Sequence, residues 1–290
     1  MYRSDHGPLK PKAQRWLDAY EDTCAAAQEL SRKIQVITVM DREGDSFALF
    51  DAQRRHKRVH LLVRASADRK LSKKKKLFQT MSSGKAAGRI TIEVKRRSAR
   101  PKARARRYRV AAAELRYCQV TLPATRVVPD ADPVTLSAVH IREISPPQGE
   151  EAIEWYLLTS LPVWSVSDAE QVLEYYLKRW RIEDFFRVLK SGCKVESCAH
   201  RSALRLQRML AIHLVIAWHL MVLTLLGRTM PDLDPEVFFT EMELALLTEF
   251  ARILGLSECK TLGACTLLLT ILGGYQRRGR DPPPPGHQTM

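Results

Sequence analysis

KIQVITVMDREGDSFALFDAQRRHKRVHLLVR, residues 33–64, decides the fold class. Residues 34–40 form a short run rich in β-branched side chains, the pattern of a buried strand, and the run ends on Asp41. Residues 43–54 follow with helical spacing, and residues 60–64, HLLVR, form a second buried strand. Ahead of them, residues 11–32 put Trp16, Leu17, Tyr20, Ala27 and Leu30 on one face of a helix. Helix, strand, helix, strand is the order of an α/β sheet rather than an all-α bundle. An acid at the C-terminal end of a central strand stands where α/β folds build sites. Taken alone, Asp41 is more simply a helix N-cap or a loop acid.

Outward from this core, the chain turns basic. LSKKKKLFQ, residues 71–79, opens the basic region, residues 89–94 alternate like a strand, and residues 95–109, KRRSARPKARARRYR, form a dense basic loop. Such a run is a phosphate-binding arm or a solvated loop, and the composition favours the arm. Residues 108–113, 115–122, 134–144 and 155–160 read as antiparallel strands, and Trp164 as a core aromatic. The formal net charge of +15 and the pI of about 9.8 make a polyanion the leading partner class. Six cysteines lack framework spacing, and CKVESCAH, residues 193–200, lacks the spacing of a zinc site. MYRSDHGPLK is polar and basic, unlike a secretory leader, so reduced thiols in a cytosolic protein are expected. Within residues 203–228, LAIHLVIAWHLMVLTLLG is almost uninterruptedly apolar, but His213 and His219 within it favour a buried helix over a membrane span. Residues 235–254 and 262–272 read as two further helices, and residues 276–290 as a Pro-rich tail expected to be disordered.

The sharpest motif is YYLKRWRIEDFFRVLKSGCK, residues 175–194. Tyr176, Arg179, Glu183 and Lys190 stand at offsets of 0, 3, 7 and 14. At about 100° per residue these fall in one arc of a helix, with Leu173, Leu177, Trp180 and Val188 burying the flanks. A wet amphipathic face steadied by the Arg179–Glu183 pair would look similar. The spacing Y-x2-R-x3-E-x6-K, however, resembles the signature of the insertion sequence 4 family of bacterial DDE transposases, the group that includes the transposon-five enzyme. DREGD, residues 41–45, resembles the DREAD-like motif around the second Asp of that family. SAVHIREISPPQGEEAIEWYLLTSLPV, residues 137–163, resembles the family's text at the same place.

The resemblance implies a partial ribonuclease-H-like α/β fold with an inserted antiparallel β subdomain, followed by C-terminal helices. On it, residues 1–64 are the partial core, 65–165 the insertion with its basic loop, 166–200 the catalytic-type helix, 201–275 a helical region and 276–290 the tail. It makes Asp41 and Glu183 catalytic metal ligands, and Tyr176, Arg179 and Lys190 contacts to DNA. Arg64 matches a DNA-contacting Arg once one extra residue is allowed in the preceding loop. Trp155, 21 residues before Tyr176, matches a Trp that stacks on a flipped base, although an ordinary sheet aromatic fits equally well. Mg²⁺ or Mn²⁺ in a two-metal centre is the implied cofactor, needing at least three carboxylates.

No residue matches the family's first Asp, since Asp5, Asp18 and Asp22 lie in polar or helical text. The expectation is therefore an internal portion of a cut-and-paste transposase in a bacterial cytoplasm. It should bind double-stranded DNA at transposon ends, fill its metal site incompletely and leave an unpaired sheet edge. The alternative is a non-catalytic DNA-binding fragment that inhibits full-length transposase. Pairing with itself or with that enzyme is implied; a membrane is not.

Overall fold

The computed structural model describes residues 12–72, 75–94, 107–126, 128–199, 202–256 and 258–273. The chain divides into two compact units, Met1–Arg179 and Trp180–Met290. Parts of the sequence expectations lie outside the described residues: the basic loop from 95 to 106, Asp5, His200 and the tail from 274.

In the first unit, α1 (Lys12–Glu29) leads to β1 (Val36–Met40), then α2 (Phe47–Arg55) and β2 (Val59–Arg64). β1 and β2 pair in parallel, with Val36 opposite Val59 and Met40 opposite Val63. The fold is mixed α/β, as the opening stretch predicts. Next come α3 (Leu77–Ser83), β3 (Gly88–Val94), β4 (Arg109–Leu122), β5 (Val134–Glu143) and β6 (Glu154–Thr159). All six strands join one sheet in the order β1-β2-β6-β5-β4-β3, and every pairing except β1–β2 is antiparallel. β1 is thus one end of the sheet among the described residues.

The alternation of side chains sorts this sheet into two buried faces. Leu61 and Val63 of β2 join Leu158 of β6 in a core with Tyr20 and Phe50 from α1 and α2. Leu62 and Leu157 point the other way, into a core shared with Ala169, Val172, Leu173 and Tyr176 of α4 (Val166–Leu177). Arg58 caps the end of α1. Its guanidinium donates to the carbonyls of Ala27, Leu30 and Ser31 at 2.7, 2.7 and 2.9 Å, and the last turn of that helix has no basic residue of its own.

Three expectations in this unit need correction. Residues 108–122 do not form two strands: β4 runs unbroken through Glu114, opposite Arg142, with Arg116 Nη2 donating to its carboxylate at 2.6 Å. α3 went unseen behind a lysine run, yet Leu77 and Met81, one turn apart, are both buried. Trp164 is no core residue, being 72% exposed. It lies in the turn before α4, where its backbone N–H donates to Asp168.

The second unit is helical: α5 (Arg181–Arg187), a π turn (Val188–Gly192), α6 (Ala203–Thr229), α7 (Glu241–Ile253) and α8 (Leu262–Leu272). Residues 235–254 are not one helix. A 3-10 turn (Pro235–Val237) precedes α7, which starts afresh from a capping box between Thr240 and Glu243. Nor is α6 a buried helix. Leu204, Ile212, Val215 and Trp218 are exposed, and 22% of its most apolar window is buried. Its length and composition alone would suffice to cross a membrane. α6 and α8 cross closely at Gly227, where a Cβ would lie 2.6 Å from Thr266 Oγ1.

Candidate active site

The parallel register places the site. With Met40 opposite Val63, the next residues at the C-terminal ends of β1 and β2 are Asp41 and Arg64. At Asp41 the chain leaves the strand for a 3-10 turn (Arg42–Gly44), and the Asp41 carboxylate accepts the Glu43 N–H at 2.9 Å. The simpler account of Asp41, a cap, is realised, and it occupies one carboxylate oxygen. The turn folds tightly onto the strand. A Cβ on Gly44 would come within 2.6 Å of the Met40 side chain, so glycine fits where the DREAD-like motif has alanine.

Asp45 closes this loop. Its carboxylate is fully enclosed and accepts the Ser66 N–H at 2.7 Å, the Ser66 hydroxyl at 2.9 Å and the Arg69 guanidinium. The segment after β1 is thereby tied to the segment after β2. Arg69 also lies over the Phe50 ring, 5.6 Å from its centroid. Burying a carboxylate without such donors would be costly, and here every donor comes from the neighbouring loop.

Arg64 reaches across the sheet. Its Nη2 donates to the Glu154 carbonyl at 3.2 Å, and Tyr176 lies near enough for its hydroxyl to favour the charged guanidinium. The Trp155 ring meets Tyr176 edge-on at 5.5 Å. Burial holds the Arg64 guanidinium below its ordinary pKa; the charges of Arg42 and Arg179 act in the same direction, and Tyr176 opposes them. Arg64, Trp155 and Tyr176 thus form one cluster, with Arg42 and Arg179 near enough for their charges to be felt. Tyr176 is only 3% exposed, so its ring belongs to the core beside Arg64. Trp155 packs against both the α4 core and the small cluster of Val94, Ala111 and Ile153.

Glu183 and Lys190 belong to the second unit. Glu183 is exposed in the first turn of α5, beside Asp184, which pairs with Arg187 at 3.3 Å and with Arg181 at 3.9 Å. Lys190 lies in the π turn and pairs with Glu196 at 3.0 Å, both side chains being exposed. The uniform helical stripe drawn from the spacing is not what carries these residues. Between Tyr176 and Lys190 the backbone passes from α4 through a 3-10 turn (Lys178–Trp180) and α5 into the π turn. A 3-10 turn advances about 120° per residue and a π turn less than 100°, so the phase is not constant. Trp180, expected on a buried flank, is 38% exposed, whereas Val188 and Leu173 are buried.

A divalent ion needs several hard oxygen donors converging on one point. Among the described residues no group of three His, Cys, Asp or Glu is placed to hold one. Asp41 and Glu183 lie in different units, and no step through a metal follows from either alone. The basic arm also loses a member. Arg109 is spent inside the protein, on Glu143 at 2.8 and 2.9 Å and on Glu150.

Sequence reasoning passed over Arg42 and Asp45, which share DREGD with Asp41. The available signal was the density of charge in five residues at a strand end, where each charge needs a partner or a ligand. A family model for the transposase DDE domain matches residues 16–219, a span holding Asp41, Arg64, Trp155, Tyr176, Arg179, Glu183 and Lys190.

Proposed function

The chain belongs to the transposase DDE-domain family, and we propose that it is a DNA transposase of the insertion sequence 4 type, impaired in cleavage as it stands. The observation that carries this reading is the cluster of Arg64, Trp155 and Tyr176 at the strand end beside Asp41. In this reading the core is ribonuclease-H-like, residues 65–165 are the insertion and residues 166–200 the catalytic-type segment. Arg64, Arg179 and Lys190 hold backbone phosphates of a transposon end, with Tyr176 beside Arg64 at the same end. Trp155 stacks on an unpaired base, offsetting part of the cost of extruding it.

Phosphodiester transfer needs neutralised charge on the attacking and leaving oxygens, which Mg²⁺ or Mn²⁺ supplies when bound. Asp41 and Glu183 are its candidate ligands. Two carboxylates do not complete such a centre, so binding outlasts cutting. The same observation supports a second reading, a DNA-binding fragment that pairs with a longer transposase in the bacterial cytoplasm and inhibits it.

Titration of purified protein against labelled duplex, together with plasmid nicking in Mg²⁺ and in Mn²⁺, tests the proposal. Salt-sensitive binding weakened by Arg64→Ala, with at most trace nicking, is expected. Absence of binding would sink the reading. Mg²⁺-dependent cleavage abolished by Asp41→Ala would sink the impairment and leave the family function intact. In a mixture with active transposase, a fall in transposition would favour the inhibitory fragment.

A further inference from the structure

We propose that Arg42 is a DNA-backbone contact, forming with Arg64 and Arg179 a three-guanidinium seat for a phosphodiester at the C-terminal ends of β1 and β2. The inference rests on the transposase reading and adds to it a residue that the family resemblance does not supply.

The register fixes the geometry. Asp41 and Arg64 are the next residues after a paired Met40 and Val63, so Arg42 opens the turn beside the Arg64 strand end. That turn is held in place: Gly44 packs on Met40, and Asp45 is tied to Ser66 and Arg69. Arg42 therefore leaves a fixed backbone. Its side chain is exposed and, among the described residues, makes no hydrogen bond or ion pair. Other arginines of the same unit are committed internally. Arg58 serves three carbonyls, Arg69 serves Asp45, Arg109 serves Glu143 and Glu150, and Arg116 serves Glu114 and the Gly84 carbonyl.

Charge points the same way. Arg42 and Arg179 both lie near enough to Arg64 for their charges to reach its guanidinium. Like charges gathered at a half-buried point repel one another unless an anion joins them. The planar forks of guanidinium groups match the oxygens of a phosphate and can bind them two at a time. With Trp155 adjoining Arg64 through Tyr176, the anion is one that carries a base, and the chain's charge of +15 favours a polymer of them.

Fluorescence anisotropy with labelled duplex, repeated between about 50 and 200 mM salt, reads this directly. Wild type should show a steep fall of log K with log salt. Arg42→Gln should bind more weakly, with the slope reduced by about 0.9, the value for one lost phosphate contact. Arg42→Lys should keep the slope, and Arg252→Gln, in α7, should change neither quantity. Without DNA, Arg42→Gln should melt no lower than wild type, because a repelling charge has gone. An unchanged slope in Arg42→Gln alongside steep wild-type dependence would overturn this inference alone. So would a lowered melting temperature accounting for the lost binding, since that marks a structural role. A wild type that does not bind duplex would overturn the transposase reading, and this seat with it.

Discussion

At the residue scale, the cluster behind the site is as informative as the site itself. His140 is fully buried, stacked on Tyr156 at 4.3 Å, and Tyr156 is stacked in turn on Phe78 at 4.0 Å. The imidazole Nε2 lies 3.0 Å from Glu154, whose carboxylate also accepts the Tyr156 hydroxyl at 2.9 Å. A neutral ring donating from Nε2 leaves Nδ1 as a bare acceptor, and Nδ1 has no hydrogen-bond partner. Protonating it would bury a second N–H without an acceptor. Burial accordingly pushes the His140 pKa below its ordinary 6.5, with Arg116 and Arg142 adding to the effect and Glu154 opposing it. The unfolded chain then takes up this proton at a higher pH than the folded one does. Stability from His140 is whole above pH 6.5 and is lost as the pH falls below it, by at most roughly 1.4 kcal/mol per pH unit. For Glu154, burial is outweighed by its hydrogen bonds from His140 and Tyr156, and its pKa is held below 4.5. Its contribution is lost only in more acid solution. Urea midpoints should therefore decline as the pH falls below about 6.5, and His140→Phe, which keeps the stack, should flatten that first decline. Equal slopes in the two proteins would refute the assignment. The places of Asp41 and Arg64 at strand ends were legible because the apolar runs stop there. Asp45 and His140 were not, since their roles depend on Ser66 and Glu154, 21 and 14 residues away.

At the element scale, local chemistry decided where helices begin, and it was read unevenly. The start of α4 is set by a capping box in which Ser165 accepts the Asp168 N–H and the Asp168 carboxylate accepts the Ser165 N–H. Ser165→Ala should cost about 1 kcal/mol, measured as a shift of the urea midpoint at constant slope. The start of α7 follows the same rule at Thr240, but there the apolar run from residue 235 hid it, and one long helix was expected. Strands proved easier, because β1, β2, β3, β5 and β6 carry compact apolar runs with clear ends. β4 was harder, because the charge of Glu114 reads as a break when the Arg116 that answers it is unseen. The close crossing of α6 and α8 could not be read at all. Gly227 matters only because Thr266 lies against it, 39 residues on. Gly227→Ala forces atoms into contact at 2.6 to 2.9 Å and should cost on the order of 1–3 kcal/mol of the stability of the second unit.

At the scale of the whole molecule, the apolar cores keep to their own units. Both faces of the six-stranded sheet draw on residues up to Leu177, whereas the clusters around Leu189 and Ala217, and around Leu247 and Cys265, begin at Phe185. Each unit thus has buried clusters of its own. Cooperativity follows shared cores, so such a chain should not unfold as one two-state system. Two calorimetric transitions are expected. Ser165→Ala should lower the one belonging to Met1–Arg179 and Gly227→Ala the one belonging to Trp180–Met290, each leaving the other in place. A single transition, lowered by either substitution and with equal calorimetric and van't Hoff enthalpies, would show that the units fold as one. The distinction bears on function, because Asp41 and Arg64 lie in the first unit and Glu183 and Lys190 in the second. If the units melt separately, conditions that unfold the second should abolish any contribution of Glu183 and Lys190 and leave the Arg64 cluster able to hold DNA. Duplex binding would then persist, with a shallower salt slope, between the two transitions.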